Sequence, residues 1–352
     1  MAEENTSVSK KTIAGSRKTA LPAKIGGYKP TQLLGKGAMG NVWLCHDPSL
    51  DRMVVVKQML PLLLNQDDFI LRFEREARIL AHLNHPAIVV PYALWKEKDG
   101  QLSLSMEFVQ GRSLRELLDN CKQPPVWVVM SILYDLLNAL SVVHNHGIVH
   151  RDLKPANLMI DKDGRFRLLD FGVAHEDKKF EEDVTLTIPG SQIGTGAYMS
   201  PEQTVNAQAT PASDLFSVGI IASEMLLGEN VFRGQNLEQT FRNIQKMVIK
   251  PEAFDERVPK PLRKLVIRLL SKKPAKRPLS AADAADELSK MMRAYPRDLM
   301  PYISEWVNAT MQQKDCGINP VLYPDTRKKL FLWGLSLGAV VVTAISIFIH
   351  FI

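Results

Sequence analysis

The sequence predicts an α+β chain of two unequal lobes, a small β-rich one over residues 27–109 and a larger, mainly helical one over 110–294, followed by one C-terminal membrane-spanning helix. Three observations carry this reading. The glycine-spaced stretch LLGKGAMGNVWLC at 33–45 is followed by a second short β-branched run, MVVVK at 53–57, so its loop joins strand to strand. Beyond Gly111 apolar residues recur at helical spacing over runs too long for strands. Residues 330–352, LFLWGLSLGAVVVTAISIFIHFI, contain no Asp, Glu, Lys or Arg.

The elements follow in order. Residues 1–26 are rich in Ser, Thr, Lys and Ala, lack apolar periodicity and the apolar core of a secretory signal, and are expected to be a disordered arm. In the first lobe short strands are interrupted by one helix, DDFILRFEREARILAHLNH, with Phe69, Phe73, Ala77 and Leu80 on one face. The second lobe carries the helical runs SLRELLDN, VWVVMSILYDLLNALSVVHNH, LFSVGIIASEMLLG, LRKLVIRLLSKK and AADAADELSKMMRA, with strand-like NLMID and RFRLLD near its front. Leu133, Leu136, Leu137 and Leu140 form a core stripe. Residues 295–329 are Pro-interrupted and weakly patterned, and read as a juxtamembrane linker.

As a helix, residues 330–352 would be about 34 Å long against a hydrocarbon core of roughly 30 Å. Arg327, Lys328 and Lys329 stand directly before it, which places residues 1–329 in the cytoplasm by the positive-inside rule. Gly334 and Gly338 form G-x-x-x-G, so a homodimer through this segment is expected.

The formal net charge is +6, but the basic ends at 1–24 and 321–352 account for +5 of it. The body is nearly neutral, which excludes a nucleic-acid footprint. Cys45, Cys121 and Cys316 are widely spaced without C-x-x-C, as in a reducing compartment rather than a disulfide framework or zinc site.

Gly35, Gly37 and Gly40 spell G-x-G-x-x-G, a spacing shared by dinucleotide-binding turns and by loops that cover ATP. A P-loop is excluded because Asn41 and Val42 stand where Lys and Ser or Thr belong. Further along come HRDLKPANL at 150–158, LLDFGVA at 168–174 and GTGAYMSPE at 194–202. With the glycine loop and VVVK, this ordered set resembles the eukaryotic-type (Hanks-type) serine/threonine protein kinases over about residues 27–290, and LRFEREARIL, LNHPAIV, MEFV and GTGAYMSPEQ look most like the bacterial membrane-anchored branch.

The resemblance implies a bilobal kinase fold, ATP and Mg²⁺ (with Mn²⁺ as an alternative) as cofactors, protein Ser/Thr hydroxyls as acceptors, and a bacterial inner membrane as the location. It also implies roles. Gly35, Lys36, Gly37 and Gly40 would lie over the phosphates. Lys57 would hold the α- and β-phosphates with Glu76 as its partner, and Leu80 would pack toward Phe171. Asp152 matches the base, Lys154 would neutralise the γ-phosphate, and Asn157 and Asp170 match the metal ligands. Adenine would lie between Val42 and Val55 above and Met159 below, read by backbone of Glu107 to Val109, with Met106 behind. Val55 departs from the family's common alanine and makes the roof bulkier.

For regulation, Arg151 matches the arginine that receives a phosphorylated activation-loop residue; Thr185 and Thr187 are the expected acceptors, ahead of Ser191. Thr195 and KPAN match the serine/threonine class. Glu202 with Arg277 matches a structural ion pair, and Asp214 matches the buried support of the catalytic loop. The alternatives are a scaffold that keeps the fold without transfer, disfavoured because Lys57, Asp152, Asn157 and Asp170 are all present, and an NAD-binding oxidoreductase, which needs a βαβ unit after the glycines. His144, His146 and His150 read as the lead-in to the catalytic loop rather than a metal cluster. Asn308 fits a glycosylation pattern that a cytoplasmic location leaves unused.

Overall fold

The glycine-spaced loop turns one strand directly back on the next. In the computed structural model, which describes residues 21–37, 40–64, 66–98, 100–170 and 196–314, β1 (Lys29–Lys36) pairs antiparallel with β2 (Gly40–Asp47). Gly35 lies opposite Val42 and Lys36 opposite Asn41, and the Gly37 N–H donates to the Gly40 carbonyl at 2.8 Å. No helix opens after the glycines, which removes the dinucleotide-fold alternative.

Strand alternation then sorts β3 (Arg52–Met59). Val54 and Val56 point into a core with Ile25, Trp43 and Cys45, so Val55 and Lys57 stand on the opposite face. With β4 (Pro91–Lys96) and β5 (Leu102–Glu107) the sheet order is β1-β2-β3-β5-β4. Helix α1 (Asp67–His82) opens on Asp67 and Asp68, whose charges suit a helix N-terminus. It buries the expected stripe Phe69, Phe73, Ala77 and Leu80, and Glu76 lies buried on that same face.

The second lobe begins at β6 (Gly111–Ser113) and α2 (Leu114–Asn120), where Ser113 and Glu116 form a capping box. Helix α3 (Val126–Asn145) is long and apolar enough to cross a membrane on length and composition, yet most of it is buried inside this lobe. It packs on α4 (Pro211–Leu227), which is buried on nearly every side. Strands β7 (Leu158–Asp161) and β8 (Phe166–Leu168) extend β6 into a small sheet. Helices α5 (Leu237–Lys246), α6 (Lys260–Leu269) and α7 (Ala281–Met291) complete the base. Helix α5 is short and mostly polar, but Leu237, Phe241 and Ile244 recur at helical spacing, with Ile244 in the core and Phe241 packed against it, and its cap, Asn236 accepting from Gln239 N–H at 2.8 Å, is also written in the chain.

The segment read as a linker holds a further helix, α8 (Met300–Met311), which inserts Ile303, Trp306 and Val307 into the core of the second lobe. Pro301 does not interrupt this segment, because it occupies the first turn of the helix, where a missing N–H costs nothing. The backbone approach is close: a Cβ on Gly164 in the β7–β8 turn would meet the Met300 carbonyl at 2.1 Å, and Ser304 Oγ donates to the Lys162 carbonyl at 2.5 Å. The arm at 1–20 and the apolar run at 330–352 lie outside the described residues.

Trp306 is fully buried, so Trp306→Ala should cost about 3–5 kcal/mol by loss of transfer free energy and an unfilled cavity. Urea denaturation of the full chain checks this; a loss below about 1 kcal/mol would mean that α8 docks only loosely.

Candidate active site

Lys57 sits on the cleft face of β3, opposite Val42 on one side and Leu104 on the other. Its Nζ donates to Glu76 Oε1 at 2.8 Å and Oε2 at 3.1 Å, and lies 3.6 Å from Asp170 Oδ1. Burial alone would lower the Lys57 pKa; the Asp170 and Glu76 carboxylates overcome it and hold the ammonium above the ordinary lysine range. Glu76 feels burial pushing its pKa up against the pull of Lys57. The pair therefore ties α1 to the sheet through a charged contact that solvent barely reaches.

The loop 150–157 is held from beneath. Asp214, buried in the first turn of α4, accepts the N–H of His150 at 2.8 Å on one oxygen and of Arg151 at 2.9 Å on the other, and it also bonds His144 Nε2 at 2.8 Å. Arg151 has φ 70° and Asp170 φ 33°, left-handed conformations that a non-glycine residue keeps only where surrounding contacts impose them. Above this support, Asp152 Oδ2 accepts from Lys154 Nζ at 2.8 Å and from Asn157 Nδ2 at 3.2 Å. Asn157 Nδ2 also donates to the Asp152 carbonyl at 2.9 Å, which leaves its amide oxygen for another partner. Asp170 is brought alongside because the Leu169 N–H donates to the Asn157 carbonyl at 2.8 Å.

These side chains fit a nucleotide and a hard cation. Two basic side chains, Lys57 and Lys154, stand among three acidic ones, Glu76, Asp170 and Asp152. The amide oxygen of Asn157 and the carboxylate of Asp170 are hard oxygen donors of the kind that would hold such a cation. Among the described residues no group of three or more His, Cys, Asp or Glu is arranged to hold a metal on its own. The three histidines are separately engaged: His144 on Asp214, His146 Nδ1 with the Val142 carbonyl at 2.9 Å, and His150 Nε2 with the Leu169 carbonyl at 3.3 Å. Burial pushes the His150 pKa down.

The expected adenine slot is drawn together as well. Val55 pairs with Met106 across β3 and β5, and Val55, Met106, Val109 and Met159 all belong to the apolar cluster that α1 covers. The Glu107 N–H is used on the Val90 carbonyl at 2.9 Å, so it cannot also read a base. The N–H of buried Val109 makes no hydrogen bond among the described residues. The glycines divide. A Cβ on Gly40 would meet the Gln58 carbonyl at 2.2 Å, so the β2–β3 pairing already demands glycine there. A Cβ on Gly35 would meet nothing within 4 Å, which is the open ground that a phosphate needs. Lys36 is exposed beside it.

Three supports were not anticipated. Gln203 Nε2 donates to the Arg151 carbonyl at 3.1 Å while its Oε1 accepts from Ser200 N–H at 3.0 Å; it lies in the quoted SPEQ motif and could have been found there. Arg167 on β8 pairs with Glu107 at the end of β5, with no signal in spacing. Buried His150 joins Asp214 to the Leu169 carbonyl. Glu202 and Arg277 form the expected fork, at 2.6 and 2.9 Å. Phe171, Thr185, Thr187, Ser191 and Thr195 lie outside the described residues.

Comparison with known proteins agrees with this geometry. The chain is 33% identical over 280 residues to a probable serine/threonine-protein kinase of Streptomyces coelicolor, covering 78% of this chain and 41% of that protein. It is 33% identical to the serine/threonine-protein kinase pkn3 of Myxococcus xanthus (77% of this chain, 52% of the relative) and 33% to PknB of Mycobacterium leprae (76% and 43%). It thus spans about half or less of the length of these relatives. The sequence pattern of the protein kinase domain matches residues 28–288, and the chain belongs to that family.

Proposed function

We propose that the chain transfers the γ-phosphoryl group of ATP to serine or threonine hydroxyls of proteins, as a member of the bacterial branch tethered to the membrane by its C-terminus. The observation that supports this most is the assembled charge relay: Lys57 on Glu76 and near Asp170, beside Asp152 bonded by Lys154 and Asn157. Phosphoryl transfer needs positioning and neutralised charge more than covalent chemistry. Lys57 orients the α- and β-phosphates, Lys154 meets charge on the transferring group, and Asp152 takes the acceptor's hydroxyl proton. When bound through Asn157 and Asp170, Mg²⁺, or Mn²⁺ in its place, supplies further charge neutralisation at the phosphates. The N–H of Val109 and the walls Val42, Val55 and Met159 hold the base.

If these roles hold, Asp152→Asn and Lys57→Met each lower phosphate incorporation into a protein substrate far more than tenfold while leaving circular dichroism unchanged. Activity within about tenfold of the parent, under roughly 1.4 kcal/mol of transition-state stabilisation, would refute the assignment.

Activation is proposed to run through autophosphorylation at Thr185 or Thr187, with the new phosphate paired to Arg151. This is supported by the backbone of Arg151 being fixed by Asp214 and Gln203, which presents its side chain from a rigid base. The double Thr→Ala variant should phosphorylate added substrate more slowly with ATP affinity nearly unchanged; phosphosites confined to the arm, with the double variant fully active, would remove the mechanism.

Residues 330–352 are read as both tether and dimer contact, which raises the local concentration of one kinase domain for the other. Replacing Gly334 and Gly338 with Ile in lipid-reconstituted protein should lower crosslinked dimer and the initial rate of autophosphorylation together. Unchanged values for both would leave the segment as a tether alone.

A further inference from the structure

At the base of the second lobe, three separate segments are stitched into one surface. Gln245 Nε2 at the end of α5 donates to Thr204 Oγ1 at 3.1 Å. Lys272 Nζ donates to the Ile244 carbonyl at 2.5 Å and lies over the rings of Phe216 and Phe232 at 5.1 and 4.7 Å. Arg277 is forked onto Glu202 at 2.6 and 2.9 Å. Residues 202–205, 244–248 and 272–279 are therefore held together by polar contacts, half-buried at Lys272 and Arg277 and exposed at Gln245.

This surface exposes large apolar side chains. Val205 is 61% exposed, Met247 39%, Val248 69% and Leu279 96%. Leu279 does not stand on a fraying tip. Arg277 and Pro278 before it are buried, and Ser280 after it caps α7 by accepting from Asp283 N–H at 3.1 Å. The backbone is pinned on both sides with the leucine in water, an arrangement that folding does not reward. On or next to the same segments are the exposed cations Lys246, Lys250, Lys273 and Lys276, with no ion pair among the described residues. Besides Glu202, the acids on or next to these segments in sequence are Glu252, Asp255 and Glu256 after Lys250, of which Asp255 is paired with Arg257, and Asp283 and Asp286 on α7, of which Asp283 is bonded to Ser280.

We propose that this face docks the lobe on an anionic lipid surface, with Leu279 and Val248 entering the headgroup layer and the four lysines lying on the lipid charge. The chemistry favours lipid over a protein partner. Protein interfaces are depleted in lysine and seat their apolar groups in fitted pockets, whereas protruding aliphatic side chains accompanied by lysine match the boundary between headgroups and acyl chains. The proposal extends the tether reading, which would bring the face to a membrane, but its recognition chemistry is independent of residues 330–352.

The test uses the full chain with vesicles of phosphatidylcholine alone or mixed with phosphatidylglycerol, and reads lysine acylation by mass spectrometry. Lys273 and Lys276 should react about fivefold more slowly on the anionic vesicles, with Lys96 on the upper lobe as the internal standard. High salt should abolish the protection, as should L279D combined with K273E and K276E scored at the remaining Lys246 and Lys250. Equal reactivity on neutral and anionic vesicles would overturn the proposal. So would protection in detergent that grows with protein concentration, since that assigns the face to a second copy. Flotation with neutral vesicles at high salt reports the tether separately: its failure would refute the tether while the acylation comparison still decides the face.

Discussion

The carboxylate of Asp214 is the constraint on which the rest of the site depends. It lies in the first turn of a helix buried on almost every side, so its position is set by the core of the lobe, not by the loop it serves. One oxygen takes the His150 N–H and the other the Arg151 N–H, and this pair of charge-assisted bonds holds Arg151 at φ 70°. A left-handed non-glycine residue costs of order 1–3 kcal/mol, which two such bonds can offset. Because the reversal occurs at Arg151, the next residue, Asp152, is turned toward Lys154 and Asn157. Asp152 is thus positioned by a helix that belongs to the core of the lobe.

The second fixed point is the pair between Lys57 and Glu76. Both side chains are taken largely out of water, so either alone would be costly; together, and with Asp170 nearby, the charge on Lys57 is kept. The contact joins a strand that cannot move without the sheet to a helix held by a single apolar stripe. The helix is the softer partner. Drawing Glu76 away would leave the Lys57 ammonium with Asp170 as its remaining partner at 3.6 Å.

What was legible in the chain followed from period and motif. The family resemblance marked Val55 and Lys57 as cleft residues, and strand alternation in the fold bears this out, while helical spacing put Phe69, Phe73, Ala77 and Leu80 on one helix face. What escaped was short, polar in composition or broken by proline, although Leu237, Phe241 and Ile244, and Ile303, Trp306 and Val307, do recur at helical spacing. Helix α5 is polar, helix α8 opens on a proline, and the pairing of Arg167 with Glu107 joins residues whose distance in sequence carries no information. The glycine loop shows the limit most clearly. Its three glycines form one motif, yet Gly40 is required by the neighbouring strand and only Gly35 faces open space. A motif records that glycine is needed at a position and does not record which neighbour needs it.

Helix α8 adds a coupling that lies beyond the region shared with the family. Its first residue crowds Gly164, whose φ of 85° only glycine holds without strain, and Ser304 binds the carbonyl of Lys162. Both contacts fall on the turn between β7 and β8. The same hairpin carries Met159, the expected floor of the adenine slot, and begins directly after Asn157. Lys162 in turn donates its N–H to the Gln110 carbonyl at 2.9 Å, just before β6 and after the strand end at Glu107. Docking of α8 therefore bears on the connection between the lobes through one short chain of backbone contacts: helix to turn, turn to hairpin, and hairpin to the segment that carries Val109.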